Sequence, residues 1–178
     1  MVKLRLLDLF CGVGGWSKAF ADRGWDCVGV DSGDFGSIYP GTFIREDVRN
    51  LDPGWLDSFD ALVASPPCED FARAWLPWLR GDHVPDALSL GLLKWSVSLC
   101  DRPGRLVECS NFASRHLPGA VRVESYSLWG DVPLLLPFLP RGKTRKSGLR
   151  PDLRAEIPGE LARAVACWFE SGTRLKYA

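Results

Sequence analysis

The sequence predicts an α/β fold built on a doubly wound, mostly parallel sheet. Short apolar runs recur along the chain, segments of helical period separate them, and glycine, proline or acidic residues follow the runs directly. Strands that alternate with helices tend to pair in parallel, because each helix carries the chain back across the sheet. With 178 residues, 46% of them hydrophobic, the chain can bury one core, so we expect 1–178 to be a single domain.

The apolar runs predict strands at 4–10, 27–30, 42–44, 60–64, 105–107 and 121–126. Helical spacing of apolar residues predicts helices at 16–23, 85–99 and 157–169, with Gly24 as the stop of the first and Pro158 tolerated in the first turn of the last. The run 134–136 lies between prolines, which favours an edge strand or an apolar loop.

The net charge, the length of the apolar runs and the spacing of the cysteines argue against several classes of protein. The formal net charge is zero, so any contact with nucleic acid has to come from a local patch. No apolar run approaches the roughly 18 residues that a membrane span needs, and there is no signal-peptide layout, so we expect a cytoplasmic protein without a membrane partner. The six cysteines form no Cys-x-x-Cys pair, which argues against a zinc site and favours reduced, mostly buried thiols.

Residues that can bind a ligand or take part in catalysis follow five of the predicted strands. They are Gly12, Asp31, Asp47, Cys68 and Glu108. In doubly wound sheets ligands bind beyond the carboxyl ends of the strands, near the point where the strand order reverses. We therefore expect these residues to share one crevice.

The turn after the first strand carries glycines at 12, 14 and 15, which let the backbone approach a ligand closely. Asp31 is placed to accept hydrogen bonds from ribose hydroxyls, and Asp47 from an adenine amino group. Together these residues indicate a cofactor that contains a nucleoside. The alternative is a tight turn without a ligand, since Gly-x-Gly is common in turns.

Cys68 follows two prolines, which fix the local backbone and remove two amide donors. A thiol held on a rigid loop can serve as a nucleophile when it ionises. A carboxyl in an apolar pocket, as expected for Glu108, has a raised pKa and can donate a proton. The alternatives are a buried apolar cysteine and a helix-capping or surface acid.

At this point the sequence resembles the DNA cytosine-5 methyltransferases. The matching segments, in chain order, are 8–15, Asp31, Asp47-Val48, Ser65-Pro66-Pro67-Cys68 with Phe71, Glu108, and Ile157-Pro158 with Leu161-Ala162. The resemblance covers about residues 4–112 well and 155–170 loosely. Its first segment and its Pro-Pro-Cys loop are the most specific.

The resemblance implies a Rossmann-like class I fold and S-adenosyl-L-methionine as the cofactor. It implies that Cys68, Glu108 and Pro67 are catalytic, with Cys68 adding to C6 of a cytosine in DNA and Glu108 acting at N3. The cofactor would be held by Phe10, Cys11, Gly12, Gly14, Gly15, Asp31, Ser32, Asp47, Val48, Pro66 and Ile157.

Two departures from the family pattern concern the support of the base. Glu108 is followed by Cys109-Ser110, where the family has Asn-Val. The family's Gln-x-Arg-x-Arg segment, which supplies a cationic contact to the base, corresponds here to the apolar stretch 130–136. Arg115, Arg122 or Arg141 would have to replace that contact, and the sequence does not choose among them.

The third departure is the segment between Leu136 and Ile157, where the family inserts a target-recognition domain. Only about 20 residues lie there, and they include six arginines and lysines that could hold phosphate without reading sequence.

Trp75 and Trp78 offer stacking surfaces for an exposed base, or belong to the core. Besides DNA, the sequence leaves open a free cytosine nucleotide, single-stranded nucleic acid, a partner chain for target recognition, and a non-catalytic remnant.

Overall fold

The computed structural model describes residues 3–73, 83–133 and 157–176, with side chains to 172 in the last range. In chain order the main elements are β1 (Arg5–Leu9), α1 (Gly15–Ala21), β2 (Asp26–Asp31), β3 (Thr42–Arg45), α2 (Pro53–Leu56), β4 (Ala61–Ala64), α3 (Glu69–Ala72), α4 (Ala87–Ser98), β5 (Arg105–Ser110), β6 (Val121–Val123), β7 (Tyr126–Gly130) and α5 (Gly159–Lys176). The chain forms two compact units, one of Met1–Val63 with Pro133–Ala178 and one of Ala64–Val132.

The first unit contains strands in the order β3-β2-β1-β4, and β1, β2 and β3 pair in parallel. In β1 the side chains of Leu6, Leu7 and Leu9 are fully buried. Burial of each stabilises the unit by about 2 kcal/mol. Burial of consecutive residues along a strand is typical of a parallel strand covered on both faces.

Helices α1 and α5 pack together in the first unit. The Phe20 ring lies 6.1 Å from that of Phe169, and it meets Trp25 edge-on at 5.1 Å. Arg23, two residues after the end of α1, pairs with Glu170 of α5. The helix predicted at the end of the chain therefore has a defined apolar face, and it covers the helix that follows the glycine turn.

The second unit contains strands in the order β5-β7-β6, all paired antiparallel. Only Glu124 and Ser125 connect β6 to β7, and so short a loop joins antiparallel neighbours. Glu124 has a φ of 51°, which lies in the left-handed region that such tight hairpin turns require. Helices α3 and α4 both contact β5.

The predicted α/β, Rossmann-like fold with a mostly parallel sheet is confirmed, and the one-domain organisation stays a prediction. Two local predictions were wrong. The segment 121–126 is a hairpin of two strands rather than one strand, because the chain reverses at Glu124. The fifth strand extends to Ser110, so Glu108 lies inside it instead of after its end.

Helices α2 and α3 were not predicted, since four residues are too few to establish a helical period. The segment 134–136 lies outside the described residues, as do Trp75, Trp78 and Arg141. None of the helices within the described ranges is long and apolar enough to cross a membrane. All six cysteines are free thiols.

Candidate active site

The turn after β1 has an unusual backbone. Phe10, Gly12 and Gly14 all have left-handed conformations, with φ values of 56°, 48° and 79°. At Phe10 this conformation costs about 1–2 kcal/mol, because its Cβ crowds the following carbonyl. Strain of this size in a non-glycine residue is typical of positions that serve a ligand.

Asp31 ends β2 and holds this turn in place. Its Oδ2 accepts from the Gly12 amide at 3.0 Å, and its Oδ1 accepts from the Gly33 amide at 2.8 Å. Each carboxylate oxygen has a second lone pair, so both can still accept from ligand hydroxyls. The predicted ribose-binding role is compatible with this arrangement.

Gly12 borders open space, whereas Gly14 is crowded. A Cβ added to Gly12 would meet nothing within 4 Å, but one added to Gly14 would lie 2.5 Å from Cδ of Pro40. The open position is next to the Asp31 carboxylate. A hydrogen-bond acceptor beside open backbone suits the ribose of a nucleoside cofactor, so the geometry at Gly12 and Asp31 agrees with the predicted ligand.

Asp47 lies just after β3, on the surface. It caps a short helix by accepting from the Arg49 amide at 2.9 Å, and it pairs with the Arg49 guanidinium at 2.5 Å. These hydrogen bonds lower the pKa of the Asp47 carboxyl to about 2. Asp47 therefore remains an acceptor at neutral pH, as its predicted contact with an adenine amino group requires.

The other predicted cofactor residues differ in exposure. Cys11, Val48 and Ile157 are buried in the first unit, while Ser32 is exposed. Buried side chains of this kind line the floor of a site rather than bind polar groups. Pro66 is also buried, but it belongs to the second unit.

A buried polar network that the sequence analysis did not identify lies beneath the glycine turn. The Ser17 hydroxyl donates to Asp8 at 2.6 Å and lies 2.5 Å from the Tyr39 hydroxyl. Burial raises the pKa of Asp8 to about 7, with the Ser17 hydrogen bonds acting in the opposite direction. The Tyr39 ring also packs against Gly29, where a Cβ would lie 2.3 Å from Cζ. The network thus ties β1, α1 and β2 together.

In the second unit, Cys68 is held by the short helix α3. Its carbonyl accepts from the Ala72 amide at 2.9 Å. Phe71 is 1% exposed, and its ring lies 6.0 Å from that of His116. Because α3 is pinned by a fully buried aromatic ring, the cysteine at its start has a fixed position.

Asp70 anchors α3 a second time. One of its oxygens lies 2.9 Å from Nε2 of His83, and the other accepts from the Asp86 amide at 2.6 Å. Asp86 in turn caps α4 by accepting from the Ser89 amide at 2.7 Å. These contacts tie the helix after Cys68 to the start of α4, and their sequence separation explains why pattern reasoning missed them.

Cys68 and Glu108 share an apolar environment in the second unit. Burial raises the pKa of the Glu108 carboxyl to about 7, although a hydrogen bond from Ser65 opposes this shift. Burial, followed by the charges of Glu108 and Glu69, raises the pKa of the Cys68 thiol to about 12. Because each negative charge disfavours the other, protonation of Glu108 and ionisation of Cys68 promote each other.

Comparison with known proteins identifies the segment that carries these features. Residues 4–74 match the family described as C-5 cytosine-specific DNA methylase. The match covers about two fifths of the chain. It includes the glycine turn, Asp31, Asp47 and the Cys68 loop, so the methylase match covers most of the predicted site residues.

Two curated methylases are similar to part of the chain. A putative type II methyltransferase of Methanocaldococcus jannaschii is 29% identical over 85 residues, which is 40% of this chain and 27% of that protein. A type II methyltransferase of Desulfomicrobium norvegicum is 30% identical over 80 residues, which is 39% of this chain and 19% of that protein. The matches therefore span about a quarter or less of each relative.

Solved structures of methyltransferases also resemble this methylase-like chain. The Dnmt2 methyltransferase of S. pombe has a TM-score of 0.42 and 16% identity, covering 64% of this chain and 36% of its own. The Entamoeba histolytica methyltransferase EhMeth has a TM-score of 0.44 and 13% identity, covering 66% and 41%.

Three arginines could replace the family's cationic contact to the base, and the structure describes two of them, Arg115 and Arg122. Arg122 pairs with Ser127 across the hairpin, which places it on the opposite face of the strands from Glu108, because Ser127 pairs with Cys109. Arg115 lies in an exposed turn, with its guanidinium 4.6 Å from the centre of the Phe112 ring. The structure therefore gives no support to either arginine as that contact.

Gly14→Ala is expected to lower the free energy of unfolding by about 2–4 kcal/mol, through a strained backbone and overpacking against Pro40. Gly12→Ala is the matched control, since it suffers the backbone strain alone and is expected to lose only about 1–2 kcal/mol. Urea denaturation of both variants measures the difference. Equal losses in the two variants would contradict the crowding at Gly14.

Proposed function

We propose that the chain is an S-adenosyl-L-methionine-dependent methyltransferase that methylates C5 of cytosine in DNA through a covalent adduct on Cys68. The observation that carries this proposal is the electrostatic coupling between the Cys68 thiol and the Glu108 carboxyl, whose pKa is about 7. A nucleophile and a proton donor that favour each other's reactive forms suit addition to a pyrimidine. The family match of residues 4–74 supports the same chemistry.

The cofactor would supply a methyl group bonded to a positively charged sulfur. Within the first unit, Asp31 would accept from its ribose hydroxyls and Asp47 from its adenine amino group. The open position at Gly12 leaves room for the ligand beside Asp31. Buried Val48 and Ile157 would exclude water from the adenine ring.

The protein's own groups act on the base in a balanced sequence. Water would accept the proton of the Cys68 thiol, and the sulfur would form a bond to C6 while Glu108 donates a proton to N3. The electron pair of the C5–C6 double bond would make C5 nucleophilic, and C5 would accept the methyl group that the cofactor supplies, with the electron pair of the broken bond staying on the cofactor's sulfur. Water would then take the C5 proton, N3 would return its proton to Glu108, and the C5–C6 double bond would re-form as the Cys68 sulfur leaves C6 as a thiolate. In a duplex the base has to be flipped out first.

A second candidate is the same chemistry on a free cytosine nucleotide or on single-stranded nucleic acid. It is favoured by the short, basic connector between Leu136 and Ile157, which replaces the family's recognition domain. A partner chain that supplies target recognition would reconcile that connector with duplex DNA.

Asp31→Ala is expected to weaken cofactor binding by about 10- to 100-fold, the usual cost of losing hydrogen bonds to a charged acceptor. The exposed Asp34, three residues along the same loop, provides the control Asp34→Ala, for which we expect unchanged affinity. Isothermal titration calorimetry with S-adenosyl-L-methionine measures both. An Asp31→Ala variant with wild-type affinity would contradict the assigned pocket.

The proposed function is tested by offering methyl-labelled S-adenosyl-L-methionine with duplex DNA, single-stranded DNA and dCMP in parallel. We expect label in DNA, located at C5 of cytosine after digestion to nucleosides. Label in dCMP or single strands alone would support the second candidate. Cofactor binding without label in any substrate would contradict both and leave a non-catalytic protein or one that needs a partner.

A further inference from the structure

Tyr126 lies on the same face of the second unit's strands as Glu108. In the pairing of β5 with β7, Glu108 is opposite Leu128, and Ser110 is opposite Tyr126. Side chains of directly paired residues project to the same face, and residues two apart along a strand also share a face. All four side chains therefore project to one side.

Tyr126 and Glu108 are diagonal neighbours in this register. Such positions have Cα atoms about 7–8 Å apart, a separation that long and aromatic side chains bridge. Leu128 is fully buried, while Tyr126 is half-buried at the first residue of β7. Tyr126 is therefore more accessible than Leu128 on this face.

Electrostatics supports this placement independently of the register. Burial, followed by the charges of Glu108 and Cys68, raises the pKa of the Tyr126 phenol to about 12. Both groups that act on the base in the proposed reaction are therefore near this phenol. At any assay pH near neutrality the phenol retains its proton and can donate a hydrogen bond.

We propose that Tyr126 contacts the substrate, donating a hydrogen bond from its phenol to the carbonyl O2 of the pyrimidine; this inference rests on the proposed function. O2 is bonded to C2, next to the N3 on which Glu108 acts. When the Cys68 sulfur adds to C6, negative charge develops at N3 and is shared with O2 through conjugation. A donor fixed at O2 stabilises that charge as it forms.

The placement also suits a site in which neither Arg115 nor Arg122 contacts the base. A neutral phenol stabilises charge on O2 without adding a full positive charge next to a carboxyl that has to remain protonated. An arginine so close to Glu108 would lower the pKa of the carboxyl and favour its ionised form. The Glu108 carboxyl and the Tyr126 phenol thus form a neutral pair of donors for the N3–O2 edge of the base.

Tyr126→Phe removes only the hydroxyl, and we expect it to lower the rate of methyl transfer by about 10- to 100-fold. Affinity for S-adenosyl-L-methionine is expected to remain within twofold of wild type, since the ribose and adenine contacts lie in the first unit. Ser125→Ala changes the exposed neighbour in the hairpin turn and serves as the matched control, with a wild-type rate expected.

A coupling experiment separates contact with O2 from a merely structural role. Random-sequence DNA is copied with deoxycytidine or with 2-thiodeoxycytidine, whose sulfur is a weaker acceptor. We expect the sulfur substitution to slow the wild-type protein about tenfold, and to slow Tyr126→Phe far less because the donor is already gone. If the rate losses from Tyr126→Phe and from the sulfur substitution multiply, or if Tyr126→Phe keeps the wild-type rate, the assignment of Tyr126 is overturned. The proposed function is not affected by either result. A wild-type protein that labels no DNA would overturn the proposed function and this inference together.

Discussion

Cys68→Ala is expected to abolish methyl transfer, with a loss of at least about 1,000-fold. The variant has no atom that can bond to C6, so C5 is never made nucleophilic, and removal of a covalent nucleophile has effects of this size or larger. The reaction is measured by label transfer to DNA. Binding of S-adenosyl-L-methionine is expected to change less than twofold, because Cys68 is not among the residues assigned to the cofactor.

DNA that contains 5-fluorodeoxycytidine provides a direct readout of the bond. The final step removes the proton on C5, and a fluorine there cannot leave as a cation, so the sulfur–C6 bond is expected to persist through denaturation. Wild-type protein should therefore run as a protein–DNA adduct and Cys68→Ala should not. Cys167→Ala, at an exposed cysteine on α5, is the control that should behave as wild type. Methylation above about a tenth of the wild-type rate in Cys68→Ala would refute the nucleophile.

Glu108→Gln is expected to lower the rate by about 100- to 10,000-fold, the range for loss of a general acid. Glutamine has nearly the same shape and can still donate a hydrogen bond, but it cannot transfer a proton to N3. Since the Glu108 pKa is about 7, the wild-type carboxyl is protonated below that pH and ionised above it. Because the reaction needs protonated Glu108 and ionised Cys68 together, the wild-type single-turnover rate should rise up to about pH 7 and then level off, whereas the residual rate of the variant should keep rising as the thiol ionises.

Glu69→Gln is the matched control for this prediction. Glu69 is an exposed acid next to Cys68 whose charge also raises the thiol pKa, so removing it tests charge alone. We expect its rate to remain within about threefold of wild type, because its effect on the thiol ranks below those of burial and Glu108. A Glu108→Gln variant that retains the wild-type rate, or the wild-type levelling-off near pH 7, would show that Glu108 is not the acid.

Stability provides a check that does not depend on turnover. Burial raises the Glu108 pKa from its ordinary 4.5 to about 7, so the folded state disfavours the ionised carboxyl. The sign of the linkage follows: stability contributed by the protonated group is lost as pH rises from about 4.5 to about 7. Relative to Glu108→Gln, the wild-type protein should lose stability across that interval, as measured by urea denaturation at each pH.

The sequence predicted those parts of the fold and site that depend on local pattern. The strands before Gly12, Asp31 and Cys68 are runs of apolar residues with a sharp end, and each lies within two residues of its predicted position. Glu108 was expected after a strand and lies inside one, because the alternating segment Glu108-Cys109-Ser110 continues the pairing with β7. A run of polar residues looks like a strand end unless its partner strand is known.

The sequence did not predict features that depend on contacts between distant segments of the chain. Asp8 is part of the recognised glycine-turn motif, yet nothing local indicates that Ser17 and Tyr39 complete a buried network with it. Tyr126 is in the same situation, since its relation to Glu108 depends on the register of a hairpin that was read as one strand. The signal that could have revealed the hairpin is the polar pair Glu124-Ser125 interrupting the alternation.

The high pKa of the Cys68 thiol has a consequence for the protein before it meets any substrate. With a pKa raised to about 12, only a very small fraction of the thiols is ionised at pH 7. Electrophiles and oxidants react with thiolates rather than thiols, so the resting chain is chemically quiet at the atom its reaction depends on. Protonation of Glu108 removes only part of this protection, because burial is the larger cause of the raised pKa of the thiol.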